Sequence, residues 1–200
     1  MRGWPLPRTT SDQLADPNLL RDIQECSTVL EVPLASSIES REGGCLCGAL
    51  RFRTRAQPVR LTICYCKFCQ RATGSSHMVE PIFGQSDFEV ITDRPTVFSL
   101  VSSGSGKRVD VHFCARCGTK INLTFERFPD VVGIYAGTFD DPSWFDRTPE
   151  TTACLFLDSA AVGALVPAGV LVFHQHRLAS DGSLNEALTF EAPFEVQSKE

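Results

Sequence analysis

Clustered cysteines constrain the fold of this chain of 200 residues more than any other feature. The chain contains nine cysteines, and seven of them lie in three short groups. These groups are Cys45 and Cys47, then Cys64, Cys66 and Cys69, and finally Cys114 and Cys117. Clustered cysteines in odd number, in a reducing compartment, indicate metal ligation rather than a disulfide framework. We therefore expect a fold built around bound metal.

The beginning of the chain indicates the compartment. Residues 1–5 lead into no apolar segment of the kind found in a secretory signal, and acids such as Asp12 and Asp16 are unusual in a mitochondrial transit peptide. No later stretch approaches the ~18 consecutive apolar residues of a membrane span. The sequence therefore predicts a cytoplasmic protein without a membrane partner.

Short alternating runs predict a mainly β fold with few short helices. From Gly43 onward, runs such as Ala49–Arg53 and Lys107–Phe113 alternate between the two faces of a strand, and clusters of Gly, Pro, Asp and Ser separate them. We expect an N-terminal extension over residues 1–42 with a candidate helix at 18–30. A zinc-binding domain over residues 43–176 and a C-terminal tail over 177–200 are expected to follow.

Two of the cysteine groups have the spacing of zinc-binding half-sites. Cys114 and Cys117 form a Cys-x-x-Cys turn followed by Gly118, and glycine tolerates the positive φ that such a turn requires. Cys45 and Cys47, which follow two glycines, are the available second half. Because four thiolates make a closed site, these four cysteines are predicted to hold a structural zinc.

The middle group offers a different ligand set. Cys64, Cys66 and Cys69 supply three thiolates within six residues and no obvious fourth ligand. Three protein ligands with an open position are typical of a catalytic zinc, which can hold a thiol as thiolate or polarise a carbonyl. The alternative is a second structural zinc with a remote fourth ligand such as His77, His112 or Cys154. The sequence thus predicts two zinc ions, and the second is expected to be open.

Charge is unevenly distributed along the chain. Residues 43–79 contain six cations and no acid, although the whole chain has a net charge of -5. A locally positive surface beside a metal would attract an anionic substrate. Arg71 follows Cys69 by two residues and is the predicted carboxylate ligand, with Ser75 and His77 as further substrate-binding candidates. Three other arginines of this window are expected mainly on the solvated face of a strand: Arg51, Arg53 and Arg55.

Three cysteine motifs and a later turn occur in a specific order. The motifs span Gly44–Phe52, Cys64–Ser75 and Phe113–Thr119, and the turn spans Ala136–Pro142. In this order they resemble the motifs of the glutathione-dependent formaldehyde-activating enzyme and centromere protein V family. The resemblance extends from about Gly43 to Asp158.

The resemblance implies a fold, a cofactor and a reaction. The implied fold is a compact folded-β, zinc-bound domain like that of a Rab exchange factor, with a structural zinc on four cysteines and a labile zinc on three. The implied reaction joins glutathione and formaldehyde into S-hydroxymethylglutathione, which is a carbon–sulfur lyase reaction in reverse. We therefore expect a zinc-dependent lyase-type enzyme with a small anionic or thiol-bearing substrate. Its predicted catalytic residues are Cys64, Cys66, Cys69 and Arg71.

Departures from the family pattern keep other functions open. Tyr65 stands where the family usually has His, Gln70 stands where it usually has a basic residue, and the segment after Pro149 lacks the usual His and Trp. A lyase or isomerase acting on a specialised metabolite is therefore the alternative function. A non-enzymatic, zinc-stapled binding module is the third, although the acidic net charge argues against a nucleic-acid partner. The sequence leaves the oligomeric state undetermined.

Overall fold

Strands make up most of the regular structure, which confirms the predicted mainly β class. The computed structural model describes residues 8–9 and 40–198, so the candidate helix at 18–30 lies outside the described residues. The first strands are β1 Arg8–Thr9, β2 Arg41–Gly44, β3 Arg51–Thr54, β4 Arg60–Cys64, β5 Met78–Gly84, β6 Phe88–Val90 and β7 Thr96–Val101. The later ones are β8 Arg108–Phe113, β9 Lys120–Phe125, β10 Phe128–Ile134, β11 Thr152–Leu155, β12 Leu165–Val166, β13 Leu171–Val172, β14 Leu188–Thr189 and β15 Phe194–Glu195.

Helical structure is short throughout the described residues. The α-helix α1 spans Lys67–Thr73, and 3-10 turns lie at Gln85–Asp87, Ala136–Thr138 and Leu157–Ser159. The helix ends at Gly74, which has a φ of 66° and donates its N–H to the Gln70 carbonyl. A left-handed glycine in this position is a common way to terminate a helix.

One large sheet positions most of the residues of interest. Its ten strands follow the order β1-β14-β13-β11-β4-β5-β10-β9-β8-β7. Its pairs are antiparallel except that β11 runs parallel to both β4 and β13. A separate three-stranded sheet contains β2, β3 and β6, and β12 pairs with β15. Strands β11, β13 and β14, from the C-terminal part of the chain, thus extend the sheet beyond β4.

The register between β4 and β5 defines one important sheet face. Cys64 lies opposite Met78, Thr62 opposite Glu80, and Arg60 opposite Ile82. Because side chains alternate along a strand, Arg60, Thr62 and Cys64 point to the same face. Arg60 at the start of β4 and Cys64 at its end therefore lie on one face of the sheet.

No alternating run in the sequence predicts strand β5, and its position in the sheet explains why. Residues 78–83 are buried or nearly so on both faces, because β5 lies between β4 and β10 in the centre of the sheet. A strand buried on both faces has no alternating pattern. The predicted boundaries of the extension and tail stay predictions, although β2 begins at Arg41 and β14 and β15 pair with neighbouring strands.

Candidate metal centres

Four cysteine sulfurs converge from two loops. Cys45 and Cys47 lie between β2 and β3, and Cys114 and Cys117 lie between β8 and β9. The four Sγ atoms lie within 4.8 Å of one another, with 3.5 Å between Cys45 and Cys47 and 3.7 Å between Cys47 and Cys114. A tetrahedral zinc with Zn–S bonds of ~2.3 Å places its sulfurs ~3.8 Å apart. The donor set and its spacing therefore fit a zinc ion.

The two loops share one backbone arrangement. In each loop the N–H of the first cysteine donates to a carbonyl beyond the turn at 2.9 Å. Each loop turns at a glycine with positive φ, 74° at Gly48 and 73° at Gly118, where a side chain would cause strain. The Leu50 N–H also donates to the Cys45 sulfur at 3.2 Å. This amide stabilises negative charge on the sulfur, as a thiolate ligand requires.

The thiols of this four-cysteine set ionise unevenly. The Thr119 hydroxyl and N–H lower the pKa of Cys117 to about 5. The Ala49 N–H acts in the same direction on Cys47, but the neighbouring thiols raise the pKa of Cys47 to about 11. Charge on one sulfur thus opposes charge on the next. A divalent cation among them removes this opposition, so that all four can serve as thiolates.

Three further sulfurs come from a strand end and a helix. Cys64 ends β4, Cys66 is the N-cap of α1, and Cys69 lies in the helix. Their Sγ atoms lie within 4.8 Å of one another, and the Cys69 N–H donates to the Cys66 sulfur at 3.3 Å. Because Cys66 caps the helix with its side chain, the same short turn sets the spacing of the sulfurs.

Burial distinguishes the three thiols from one another. Cys64 and Cys69 are buried, whereas Cys66 is partly exposed. Hydrogen bonds from the Cys64 and Cys69 thiols lower the pKa of Cys66 to about 3, and the same contacts raise the pKa of the other two. Three thiolates at this position therefore need a cation, and the soft sulfur donors fit zinc.

The fourth position of this set is open within the described residues. No His, Asp or Glu in that part of the chain brings a ligand atom within the same distance of all three sulfurs. The remote candidates have other partners: His112 bonds the Thr124 hydroxyl at 3.0 Å, and Cys154 interacts with Tyr65. Three ligands and an open position are the arrangement of a catalytic zinc.

Apolar side chains border the three-thiol centre. Buried Met78 packs in the same cluster as Cys64 and Cys69, together with the partly exposed rings of Phe68, Phe125 and Phe156. Phe156 has a φ of 62° and a ψ of 45°, a left-handed conformation that is rare for a bulky residue. Its N–H is held by the Gln175 carbonyl at 3.0 Å. This strained backbone fixes an aromatic ring in the border of the centre.

The three predicted substrate-binding residues lie in or just after α1. Arg71 is exposed, and its side chain makes no hydrogen bond or ion pair with the residues that the structure describes. Ser75 is exposed, and its N–H donates to the Thr73 hydroxyl at 3.2 Å. His77 is half-buried, with its ring 5.4 Å from the ring of Tyr65, and burial lowers its pKa. Among the described residues, no hydrogen bond joins these side chains to the three sulfurs.

The three arginines in and just after β3, within the stretch 43–79 that lacks acids, form ion pairs with acidic residues from other elements. The ion pairs are Arg51–Asp140, Arg53–Glu42 and Arg55–Glu89. Their partners come from β2, from β6 and from the loop after β10. The charge segregation seen along the sequence therefore does not produce a broad positive surface, in agreement with the solvated strand face expected for these arginines.

Two departures from the family pattern have structural roles. Tyr65 is fully buried, and its hydroxyl donates to the Leu165 carbonyl at 2.8 Å. The Gln70 amide donates to the Tyr65 carbonyl at 2.6 Å and to the Ser159 carbonyl at 2.8 Å. Both side chains thus anchor the three-thiol centre to the C-terminal half of the chain.

Glu80 is a buried acid outside the site residues predicted from the sequence. It is 7% exposed, lies opposite Thr62, and its Oε1 has no hydrogen-bond partner among the described residues. Burial raises the pKa of Glu80 to about 7, against the opposing effect of Arg60. A Cβ at Gly133 would lie 1.9 Å from this Oε1, so the strand needs glycine there. The signal in the sequence is a lone acid within the apolar run of residues 78–83.

We expect Glu80→Gln to stabilise the protein at pH 8 by about 1–3 kcal/mol and to have little effect at pH 5. The folded state holds the Glu80 proton more tightly than the unfolded state, where the pKa is near 4.5. Stability is therefore lost as the pH rises from about 4.5 to about 7, and Gln removes this loss. Urea unfolding at both pH values measures the effect, with exposed Glu186→Gln as the control. A change that is equal at the two pH values would contradict the assigned burial cost.

The chain is mainly β and carries a set of four thiols and a set of three, each of which could hold a metal ion. The family described as glutathione-dependent formaldehyde-activating enzyme matches residues 40–157. The chain belongs to this family. A Halomonas elongata protein with a provisional assignment to the same activity is 30% identical over 112 residues, which cover 54% of this chain and 70% of that protein.

A solved structure shows a weaker likeness. The crystal structure of a Rhodobacter sphaeroides protein is 19% identical and gives a TM-score of 0.40, covering 50% of this chain and 87% of that one. Among the described residues, no helix has the length and apolar character to cross a membrane.

Proposed function

We propose that this protein is a zinc-dependent enzyme that joins a thiol to formaldehyde or to another small carbonyl compound. The observation that carries the proposal is the three-thiol centre, in which two sulfurs are buried and Cys66 is partly exposed. Membership of the glutathione-dependent formaldehyde-activating family supports glutathione and formaldehyde as the substrates. In the reverse direction the reaction is that of a carbon–sulfur lyase.

The two cysteine sets have different proposed roles. The four-thiol set on Cys45, Cys47, Cys114 and Cys117 holds a structural zinc that ties together two loops distant in sequence. Cys64, Cys66 and Cys69 hold the second zinc. This ion would supply Lewis acidity, favouring the thiolate form of a substrate thiol and polarising a carbonyl oxygen.

The proposed reaction balances without a further reagent. The thiol sulfur attacks the carbonyl carbon, a carbon–sulfur bond forms, and the carbonyl π bond breaks. The thiol proton ends on the former carbonyl oxygen, which gives a hydroxymethyl thioether. Apolar rings such as Phe68 and Phe156 limit water at the reacting atoms and so strengthen electrostatic interactions there. Arg71 is the proposed carboxylate ligand, and Ser75 and His77 contribute polar groups beside it.

A second candidate function keeps the metal centres and changes the substrate. The partly exposed rings of Phe68, Phe125 and Phe156 favour a carbonyl compound with an apolar body, as a specialised metabolite would have. A nucleic-acid-binding module has less support, because the strand arginines Arg51, Arg53 and Arg55 are engaged in ion pairs.

The test measures how fast glutathione and ¹³C-formaldehyde interconvert with the hydroxymethyl thioether. NMR exchange spectroscopy gives this rate in the presence of the zinc-loaded protein. We expect the exchange rate to exceed the uncatalysed rate by at least about 100-fold. Cys154→Ser, the same substitution outside both thiol sets, is expected to retain the rate. A rate equal to the uncatalysed one would contradict the proposed reaction. Catalysis restricted to carbonyl compounds with an apolar body would support the second candidate instead.

A further inference from the structure

Arg60 lies on the same sheet face as the three-thiol centre. It begins β4, and its side chain shares a face with Thr62 and Cys64. Four residues of extended chain separate the α-carbons of Arg60 and Cys64 by about 13 Å. Glu80, opposite Thr62, lies between them. Cys64 and Arg60 thus lie at opposite ends of one sheet face, with the buried polar residues Thr62 and Glu80 between them.

Other parts of the chain bring more cations to Arg60. Arg127, in the turn between β9 and β10, has its guanidinium carbon 5.2 Å from the centre of the Phe128 ring. The same ring stacks on His176 at 5.9 Å, and Arg177 follows directly. We call the following set the cationic cluster, in which three arginines carry the charge and a histidine ring packs beside them: Arg60, Arg127, Arg177 and His176.

Neighbouring hydrogen bonds hold the cationic cluster in place. An Arg127 Nη2 donates to the Ala179 carbonyl at 2.8 Å. The Asn185 amide donates to the His176 carbonyl at 2.7 Å, and the Asn185 N–H donates to the Arg177 carbonyl at 2.9 Å. The segment carrying His176 and Arg177 is therefore positioned by the fold and is not a free tail.

The charges of the cluster act on one another. Burial lowers the pKa of Arg60, and the charge of Arg177 lowers it further, while Glu80 opposes both. Burial and the three arginines likewise lower the pKa of His176, against a backbone contact with Leu178. The Arg127–Ala179 hydrogen bond and the Phe128–His176 stack bring the β9–β10 turn to the C-terminal segment, and the mutual effect on pKa indicates that the charge of Arg60 in β4 is close to them.

The cluster lacks a matching set of acids. Within the described residues, the side chains of Arg60, Arg127 and Arg177 have no carboxylate within 4.0 Å, and the acid that faces Arg60, Glu80, stays beyond ion-pair distance. All four side chains of the cluster are half-buried, so they retain contact with solvent. Like charges held together in a partly desolvated site are costly unless an anion joins them.

We propose that the cationic cluster is a subsite for a second oxyanion, a carboxylate other than the one assigned to Arg71, on a substrate whose reacting end lies at the three-thiol centre. The inference rests on the proposed function and narrows its substrate class to elongated, anion-bearing compounds. Arginine suits this task because its planar fork binds a carboxylate through two parallel hydrogen bonds. The α-carbons of Arg60 and Cys64 are ~13 Å apart, and the long Arg60 side chain can span part of that distance. The rest suits a molecule about the size of a tripeptide.

S-methylglutathione tests the subsite apart from the chemistry, because its blocked sulfur cannot react. Calorimetric titration of the zinc-loaded protein should show binding that Arg60→Gln or Arg177→Gln weakens about tenfold or more. Exposed Arg94→Gln is the matched control and should bind like the wild type. Circular dichroism checks that each variant is folded.

Three outcomes would overturn the subsite. One is a wild type that binds neither S-methylglutathione nor inorganic sulfate. Another is unchanged binding in folded Arg60→Gln and Arg177→Gln, and the third is loss of binding in Arg71→Gln alone, which would place the carboxylate beside α1. Because this titration measures no turnover, a protein that binds the probe through the cluster but forms no thioether would retain the subsite and lose only the proposed reaction.

Discussion

Replacing Cys114 with serine is expected to abolish the folded state of the domain. Cys114 is buried and brings the β8–β9 loop to the sulfurs of the β2–β3 loop. Zinc ligation at sites of this kind contributes on the order of 10 kcal/mol to folding, whereas a whole domain is stable by only about 5–15 kcal/mol. Thermal unfolding followed by circular dichroism should therefore show no cooperative transition for Cys114→Ser.

The same substitution at Cys66 is the comparison for this first prediction. Cys66 is partly exposed and belongs to the other thiol set. Cys66→Ser is expected to unfold cooperatively within a few degrees of the wild type, since one ligand at an open site contributes less to folding. Equal loss of structure in both variants would contradict the division into a structural and an open centre.

Cys66→Ser is expected to abolish activity while the protein stays folded, which is the second large effect. Serine is a hard oxygen donor and a poor replacement for a thiolate on zinc. Loss of this ligand should lower kcat/KM for thioether formation by at least about 100-fold, since changes in the outer shell of a metal site already cost 10–100-fold. Steady-state kinetics and circular dichroism on the same samples separate this effect from unfolding.

Cys154→Ser is the matched control for the second prediction. Cys154 is buried, and burial raises its pKa to about 12, so it remains a thiol in the core. The variant should lose some stability because a hydroxyl replaces a buried sulfur, yet it should retain activity. If Cys66→Ser were as active as Cys154→Ser, the three-thiol centre would not be the site of the reaction.

The sequence was informative where residues close along the chain also act together. Cys64, Cys66 and Cys69 lie within one turn and a helix start, so their spacing alone predicts a shared metal. The short alternating runs likewise predict the mainly β class, because one face of each such strand is buried and the other is not. Strand β5 follows a different rule, since it is buried on both faces and its sequence has no period of two.

Features that depend on long-range packing could not be predicted from the sequence. The acid-free stretch of residues 43–79 suggests a positive surface, but Glu42, Glu89 and Asp140 fold back onto its arginines. Conversely, Arg60 and Arg177 are 117 positions apart, and the charge of Arg177 acts on the pKa of Arg60 because β11 and β13 bring the C-terminal segment beside β4. No local pattern carries that information.

Metal stoichiometry tests the central claim of one closed and one open metal centre most directly. Native mass spectrometry of the zinc-saturated protein should show two zinc ions per chain, and stepwise addition of a mild chelator should remove one ion well before the other. Three thiolates with an exchangeable position release zinc more readily than four. Cys66→Ser should retain the tightly held ion only. A single zinc at saturation, or two ions released together, would contradict the account.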